Sequence, residues 1–282
     1  MSVAMLQDLH LLTRDGQLNA DARRKLKQIR HLVGLLRPAL DDAFARAPAD
    51  AAPGSGPASV NEPLVVDCGA GKSYLGALIY ELVLAPARRG SLLAIEARPE
   101  LAEQAAARAA RFGQERFSAI ATGAIAAAEL PVRPRVVTAL HACDTATDDA
   151  LALAIGANAD HVAVVPCCQA EVARQLEAAG AEDEALATLH AHPLHRRELG
   201  SHLTNVVRAL ALQAHGYKVT VTELVGWEHS AKNELILGRR VNRFDAAARA
   251  KLRALLDRFH IEPAIVRELA ARGLDPRAAP SA

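Results

Sequence analysis

From Leu64 to about Val241, short apolar runs alternate with stretches of helical period, and this alternation restricts the fold more than anything else in the chain. "LVVDC", "SLLAIEA", "RFSAIAT", "RVVTALHACD" and "HVAVVPCC" read as strands, each followed by a helical or turn segment. Strands separated by helices pair in parallel through right-handed crossovers. Two further strands, "YKVTVTELV" and "NELILGRRV", follow one another with no helix between them, which suits a sheet with one reversed strand at its edge. The expected fold is therefore α/β: a doubly wound, mostly parallel sheet with one antiparallel edge strand, preceded by an N-terminal helical region.

That region is read from residues 20–45. Leu26, Ile29, Val33, Leu36 and Leu40 step by three and four, giving one apolar stripe, while Arg23, Arg24, Lys27 and Arg30 occupy other faces. Pro38 is a candidate kink. "APADAAPGSGPASVNEP" is a linker without periodicity. The expected organisation is 1–45 helical, 46–62 linker, 63–242 the α/β domain and 243–282 closing helices. With 282 residues and 51% apolar content, the chain can fill a core. No signal-peptide pattern and no 18-residue apolar run is present, so no membrane partner is expected. The four cysteines, with Cys167 and Cys168 adjacent, do not form a secreted disulfide framework, and a reducing cytoplasm is the plain reading. A net charge of +1 neither demands nor excludes nucleic acid.

"VVDCGAGKSYLG" decides the chemistry. Its "GKS" ending invites comparison with a phosphate-binding P-loop, but the first glycine of that motif would fall at Val66, inside the strand. The loop is too short to wrap a phosphate. Gly69 and Gly71 instead let the backbone turn tightly and approach a ligand, after Asp67 at the strand end. A second acid, Glu96, ends the next strand, where a carboxylate can accept both hydroxyls of a ribose. This arrangement resembles the class I S-adenosylmethionine-dependent methyltransferases, whose Rossmann-like sheet matches the expected fold. The resemblance implies S-adenosylmethionine as cofactor, with Asp67, Gly69 and Gly71 around its methionine moiety and Glu96 on its ribose. After the third strand only Thr122 is available for the adenine.

"LHACDTATDDAL" and "VVPCCQ" follow the fourth and fifth strands, whose ends open toward the same crevice. Three readings stay open. His141 or Asp144 serves as base or positioner in substrate and cofactor recognition. Alternatively Cys167 is a nucleophile with Cys168 beside it against the substrate, as in RNA cytosine-C5 methyltransferases. Or His141 and the cysteines bind zinc, against which stands the lack of a Cys-x-x-Cys spacing.

Together, "DCGAGKSYLG", "LHACDTATDDAL", "PCCQ" and "EHSAKNEL" resemble one methyltransferase-domain family over roughly Arg24 to Val241. This family includes methyltransferase-like and ribosomal RNA adenine dimethylase domain-containing proteins. The "H-x-C-x-x-A-T-D" and "CC" elements are also similar to the tRNA 2′-O-methyltransferases that modify the acceptor stem. The resemblance implies methyl transfer, with tRNA or rRNA as substrate, and puts the segment with Lys232 and Asn233 on the substrate side. Arg23, Arg24, Lys27 and Arg30 would then contact RNA phosphates. A protein or small-molecule methyltransferase, or a non-catalytic cofactor-binding module, is the alternative.

Overall fold

The computed structural model describes residues 3–9, 12–13, 15–18, 20–46, 62–140, 142–166, 169–180, 184–224 and 234–278; within helix 20–45 the side chains of 20–22 and 24–30 are outside that description. Among the described residues, seven strands form one sheet: β1 (Leu64–Cys68), β2 (Ser91–Glu96), β3 (Phe117–Ala121), β4 (Pro134–Ala139), β5 (His161–Val164), β6 (Tyr217–Glu223) and β7 (Glu234–Arg240). Their order is β3-β2-β1-β4-β5-β7-β6. All neighbours pair in parallel except β7, which runs antiparallel to both β5 and β6. The reversed strand thus sits one place in from the β6 edge. A short connection from β6 to β7 can only return the chain antiparallel.

The order reverses between β1 and β4. At such a switch point the two crossovers leave on opposite faces and open a crevice beyond the strands' carboxyl ends. Among the described residues, eleven α-helices surround the sheet. They are α1 (Val3–Asp8), α2 (Ala20–Ala45), α3 (Tyr74–Ile79), α4 (Ala85–Ala87), α5 (Pro99–Arg111), α6 (Ala146–Gly156), α7 (Glu171–Ala179), α8 (Glu184–Ala191), α9 (Pro193–Ala214), α10 (Ala246–Phe259) and α11 (Ala264–Ala271). A π turn at Tyr80–Leu84 joins α3 to α4.

The core divides by face. On one side α2, α3 and α5 cover the sheet through Leu36, Leu40, Leu75, Ile79 and Ala105, packed with Val65, Val136 and Ala163. On the other, α6, α9, α10 and α11 cover it through Leu151, Ile155, Val207, Leu252 and Ile265, packed with Val66, Val137 and Val162. Adjacent strand residues point to opposite faces, so continuously apolar strands are what a sheet buried on both sides requires.

The stripe of α2 is buried at Val33, Leu36 and Leu40 and is joined by Leu32 and Ala43. The helix continues through Pro38 without a break. Its C-terminal end lies at the amino edge of the sheet: Asp42 Oδ2 bonds His161 Nε2, at the start of β5, at 2.6 Å, and Phe44 packs beside Gly90, just before β2. From Asp42 back to Ala20 the helix rises about 33 Å, whereas a five-residue strand spans only about 16 Å. The helix is therefore about twice as long as the strands it packs on.

Candidate cofactor and methyl-transfer site

The turn after β1 is built from left-handed backbone. Gly69 has φ 62°, Gly71 φ 56° and Ser73 φ 50°. A Cβ on Gly69 would come within 3.1 Å of the Cα and Cβ of Ala142, so the glycine lets the loop after β4 pass close by. A Cβ on Gly71 would meet nothing within 4 Å and would project into open space.

Glu96 closes this turn from the neighbouring strand. Its Oε2 accepts the Gly71 amide at 2.6 Å. Its Oε1 accepts the Arg98 amide at 3.2 Å and Arg98 Nε at 2.9 Å. Burial raises the Glu96 pKa, but these bonds to Arg98 and Gly71 outweigh it and hold the carboxyl below its ordinary value. Thr122 sits at the end of β3, its amide bonded to the Glu96 carbonyl at 3.0 Å and its hydroxyl to the Ala124 carbonyl at 3.1 Å.

Asp67 lies under the loop. It is 3% exposed and accepts the Thr138 hydroxyl at 3.0 Å and the Gly76 amide. Burial pushes its pKa up to about 7, against the pull of those two bonds. Its partners are protein groups, so it braces β1, β4 and the first turn of α3 against one another. Arg108 braces the loop from α5: its Nη1 donates to the Lys72 carbonyl at 2.6 Å, while its Nε meets Asp8 of α1 at 2.7 Å.

After β4, Cys143 is exposed and Asp144 is half-buried with φ 52°. Asp144 Oδ1 accepts the Ala170 amide at 3.2 Å, and its Oδ2 lies 3.6 Å from Arg174. The loops after β4 and β5 are therefore tied together, as the topology requires of adjacent strand ends. His141, Cys167, Cys168, Lys232 and Asn233 lie outside the described residues. Arg23 is exposed and bonds the Leu18 carbonyl at 3.2 Å; the side chains of Arg24, Lys27 and Arg30 lie outside the description. No group of three His, Cys, Asp or Glu suited to a metal occurs among the described residues. The histidine-rich segment 190–202 is accounted for locally in part, with His190 buried against Phe259 and His192 capping α9 by accepting the Leu194 amide at 3.2 Å.

A family model described as a methyltransferase domain matches residues 24–175, which is 152 of the 282 residues. The chain belongs to this family. It is an S-adenosylmethionine-dependent methyltransferase. None of the curated proteins matches it in sequence. Similar solved structures include an rRNA methylase from Streptococcus thermophilus, with 11% identity and TM-score 0.40 over 64% of this chain and 87% of that one. The DszA carbon methyltransferase shares 13% identity, with TM-score 0.46 over 81% of this chain and 57% of that one. A geranyl diphosphate methyltransferase in complex with GPP and sinefungin shares 12% identity, with TM-score 0.38 over 66% and 72%. These relatives differ in acceptor and single out none for this methyltransferase.

The residues present fit the cofactor. The open space at Gly71 leaves a cradle that a side chain there would enter, and the Glu96 carboxylate that accepts its amide stands beside it. Sequence reasoning did not find the buried polar set on α9. Arg208, 1% exposed, grips Asp148 through Nε at 2.8 Å and Nη2 at 2.6 Å. Ser201, Asn205 and Arg208, spaced by four and three along α9, were the available signal.

Proposed function

We propose that this methyltransferase modifies RNA, tRNA or rRNA, in the cytoplasm. The feature that carries this reading is the cluster of cations in the N-terminal half of α2, Arg23, Arg24, Lys27 and Arg30, because phosphates are the partner such cations suit. With aromatics at only 3% of the chain, recognition would rest on backbone and shape more than on base stacking.

In this reading Gly69 and Gly71 admit the methionine moiety and Glu96 accepts the ribose hydroxyls. Thr122 stands nearest the adenine, and Asp67 keeps the turn in shape from beneath. S-adenosylmethionine, when bound, supplies an activated methyl group on a sulfonium. The chain's own task is to align the acceptor and exclude water. His141 and Asp144 orient the acceptor or take its proton, Cys167 and Cys168 line the acceptor side, and Lys232 and Asn233 approach the RNA from the segment before β7.

The test is a variant with Arg23, Arg24, Lys27 and Arg30 all changed to Glu, titrated against tRNA and rRNA fragments at several salt concentrations. Binding should weaken, and each lost phosphate contact should lower the salt slope by about 0.7–0.9. Unchanged affinity and slope would reject α2 as an RNA contact. Nucleoside mass spectrometry of total RNA from a deletion strain would then decide whether RNA is the substrate at all.

A further inference from the structure

Helix α9 carries Ser201, Asn205 and Arg208 at spacings of four and three, hence on one face. That face meets the loops after β4 and β5 and the start of β7, and each of the three bonds one of these or a neighbour that does. Arg208 Nη2 donates to the Asp144 carbonyl at 2.9 Å, in the loop after β4. The Asn205 side chain accepts Gln169 Nε2 at 3.1 Å, directly after the cysteine pair that follows β5. Asn205 Nδ2 donates to Glu234 Oε2 at 2.9 Å, where the chain enters β7. Ser201 Oγ completes the set by donating to Gln169 Oε1 at 3.0 Å, and Arg208 Nη1 reaches Asn205 Oδ1 at 3.3 Å.

Two segments distant in sequence thus converge on the Asn205 amide, and a third, through the Asp144 carbonyl, on Arg208 beside it. Asn205 is 5% exposed, Gln169 8% and Arg208 1%. Well-packed apolar residues in such a place generally stabilise as well as ions and amides do or better, so the set is poorly explained by stability. Directional bonds do what apolar packing cannot: they fix where each loop stands. The loops they fix carry Cys143 and Asp144, flank Cys167 and Cys168, and end the segment with Lys232 and Asn233.

We propose that Asn205, held by Arg208 and Gln169, is a positioning residue that sets the geometry of the methyl-acceptor loops without touching cofactor or substrate. Misplacement by about 1 Å can cost up to 100-fold in rate. The turnover arm of the test rests on the RNA reading; the exchange arm does not.

The experiment compares wild type with Asn205→Leu and Asn205→Asp. In Asn205→Leu, calorimetry with S-adenosylhomocysteine should give affinity within about threefold of wild type. Amide exchange should rise in 142–147 and 169–171 but not in β1 or β2. Methylation of RNA from a deletion strain should lose more than about tenfold in kcat with little change in KM. Asn205→Asp sets a carboxylate against Glu234, with Arg208 and the Gln169 amide on its other side and Asp148 beyond Arg208. It should behave as Asn205→Leu at pH 8 and regain turnover toward pH 5.5, as protonation restores a donor to Glu234, while wild type does not gain. Exchange unchanged in the two loops, or raised throughout the sheet, would overturn the proposal, as would kcat unchanged or an Asn205→Asp profile parallel to wild type. Absence of RNA turnover in wild type would instead reject the RNA reading and leave the exchange result to decide this one.

Discussion

Glu96 Oε2 accepts the amide of Gly71 at 2.6 Å, so the end of β2 and the turn after β1 form one hydrogen-bonded unit across 25 residues of chain. The same carboxylate holds Arg98. Removing it leaves an amide without its charged acceptor, a loss of about 1.5–3 kcal/mol. Glu96→Ala should therefore weaken S-adenosylhomocysteine binding by about tenfold or more, while Glu96→Gln, which can still accept from Gly71, should lose less. Calorimetry decides it, and equal losses in the two variants would show that the acceptor role is not what matters.

Gly69 and Gly71 share a positive φ but differ in surroundings. Gly69→Ala must meet the Ala142 backbone and adopt left-handed geometry, whereas Gly71→Ala pays only for the geometry, about 1 kcal/mol. Thermal melts should show the larger drop for Gly69→Ala. Gly71→Arg, by contrast, should fold and fail to bind S-adenosylhomocysteine. Retained binding there would rule out the cradle.

Asp67 introduces a pH dependence of stability. Its folded pKa, about 7, lies above the ordinary value of 3.8, so the folded state holds the extra proton between those limits. The stability this contributes is full below about pH 4 and is lost as pH rises through 7. Asp67→Asn removes the titration. Its melting temperature should gain on wild type between pH 5 and pH 8 by at least about 3 °C, the shift expected of roughly 1 kcal/mol in a chain of this size. Parallel curves would mean that Asp67 does not titrate there.

The Arg208–Asp148 pair is buried on both sides, at 1% and 2% side-chain exposure. Arg208→Met strands a buried carboxylate and should cost about 3–5 kcal/mol in urea unfolding. Adding Asp148→Leu should recover much of that loss. No recovery would show that Arg208 acts mainly through Asn205 and the Asp144 carbonyl.

The cysteine question is decided by chemistry. If Cys167 attacks a pyrimidine, Cys167→Ala should abolish turnover with cofactor affinity intact, and wild type should form an adduct with 5-fluoropyrimidine RNA. Full activity in the alanine variant would reduce Cys167 to packing or positioning.

The succession of strands and helices, and with it a mostly parallel sheet, was legible in the sequence because local pattern carries it; the order of the strands was not. Apolar runs such as Leu64–Cys68 and Ser91–Glu96 can only be strands buried on both faces, and the turn after Asp67 needs glycines whatever surrounds it. Helices α1 and α8 were not legible: six and eight residues are too few to show a period above loop composition. Gly69, Gly71 and Glu96 were readable as a ligand turn, but that the Glu96 carboxylate grips the Gly71 amide is a fact of parallel pairing between β1 and β2, and no spacing encodes it. Asp67 reads in sequence as a residue of the ligand turn, and only burial beneath Thr138 and Gly76 makes it a brace. The convergence of Asp144, Gln169 and Glu234 on Asn205 and Arg208 likewise depends on where α9 packs, against α7, α10 and β6. Periodicity reports how each segment meets an apolar interior. Which polar groups meet one another depends on long-range packing, and that appears only when the chain is folded.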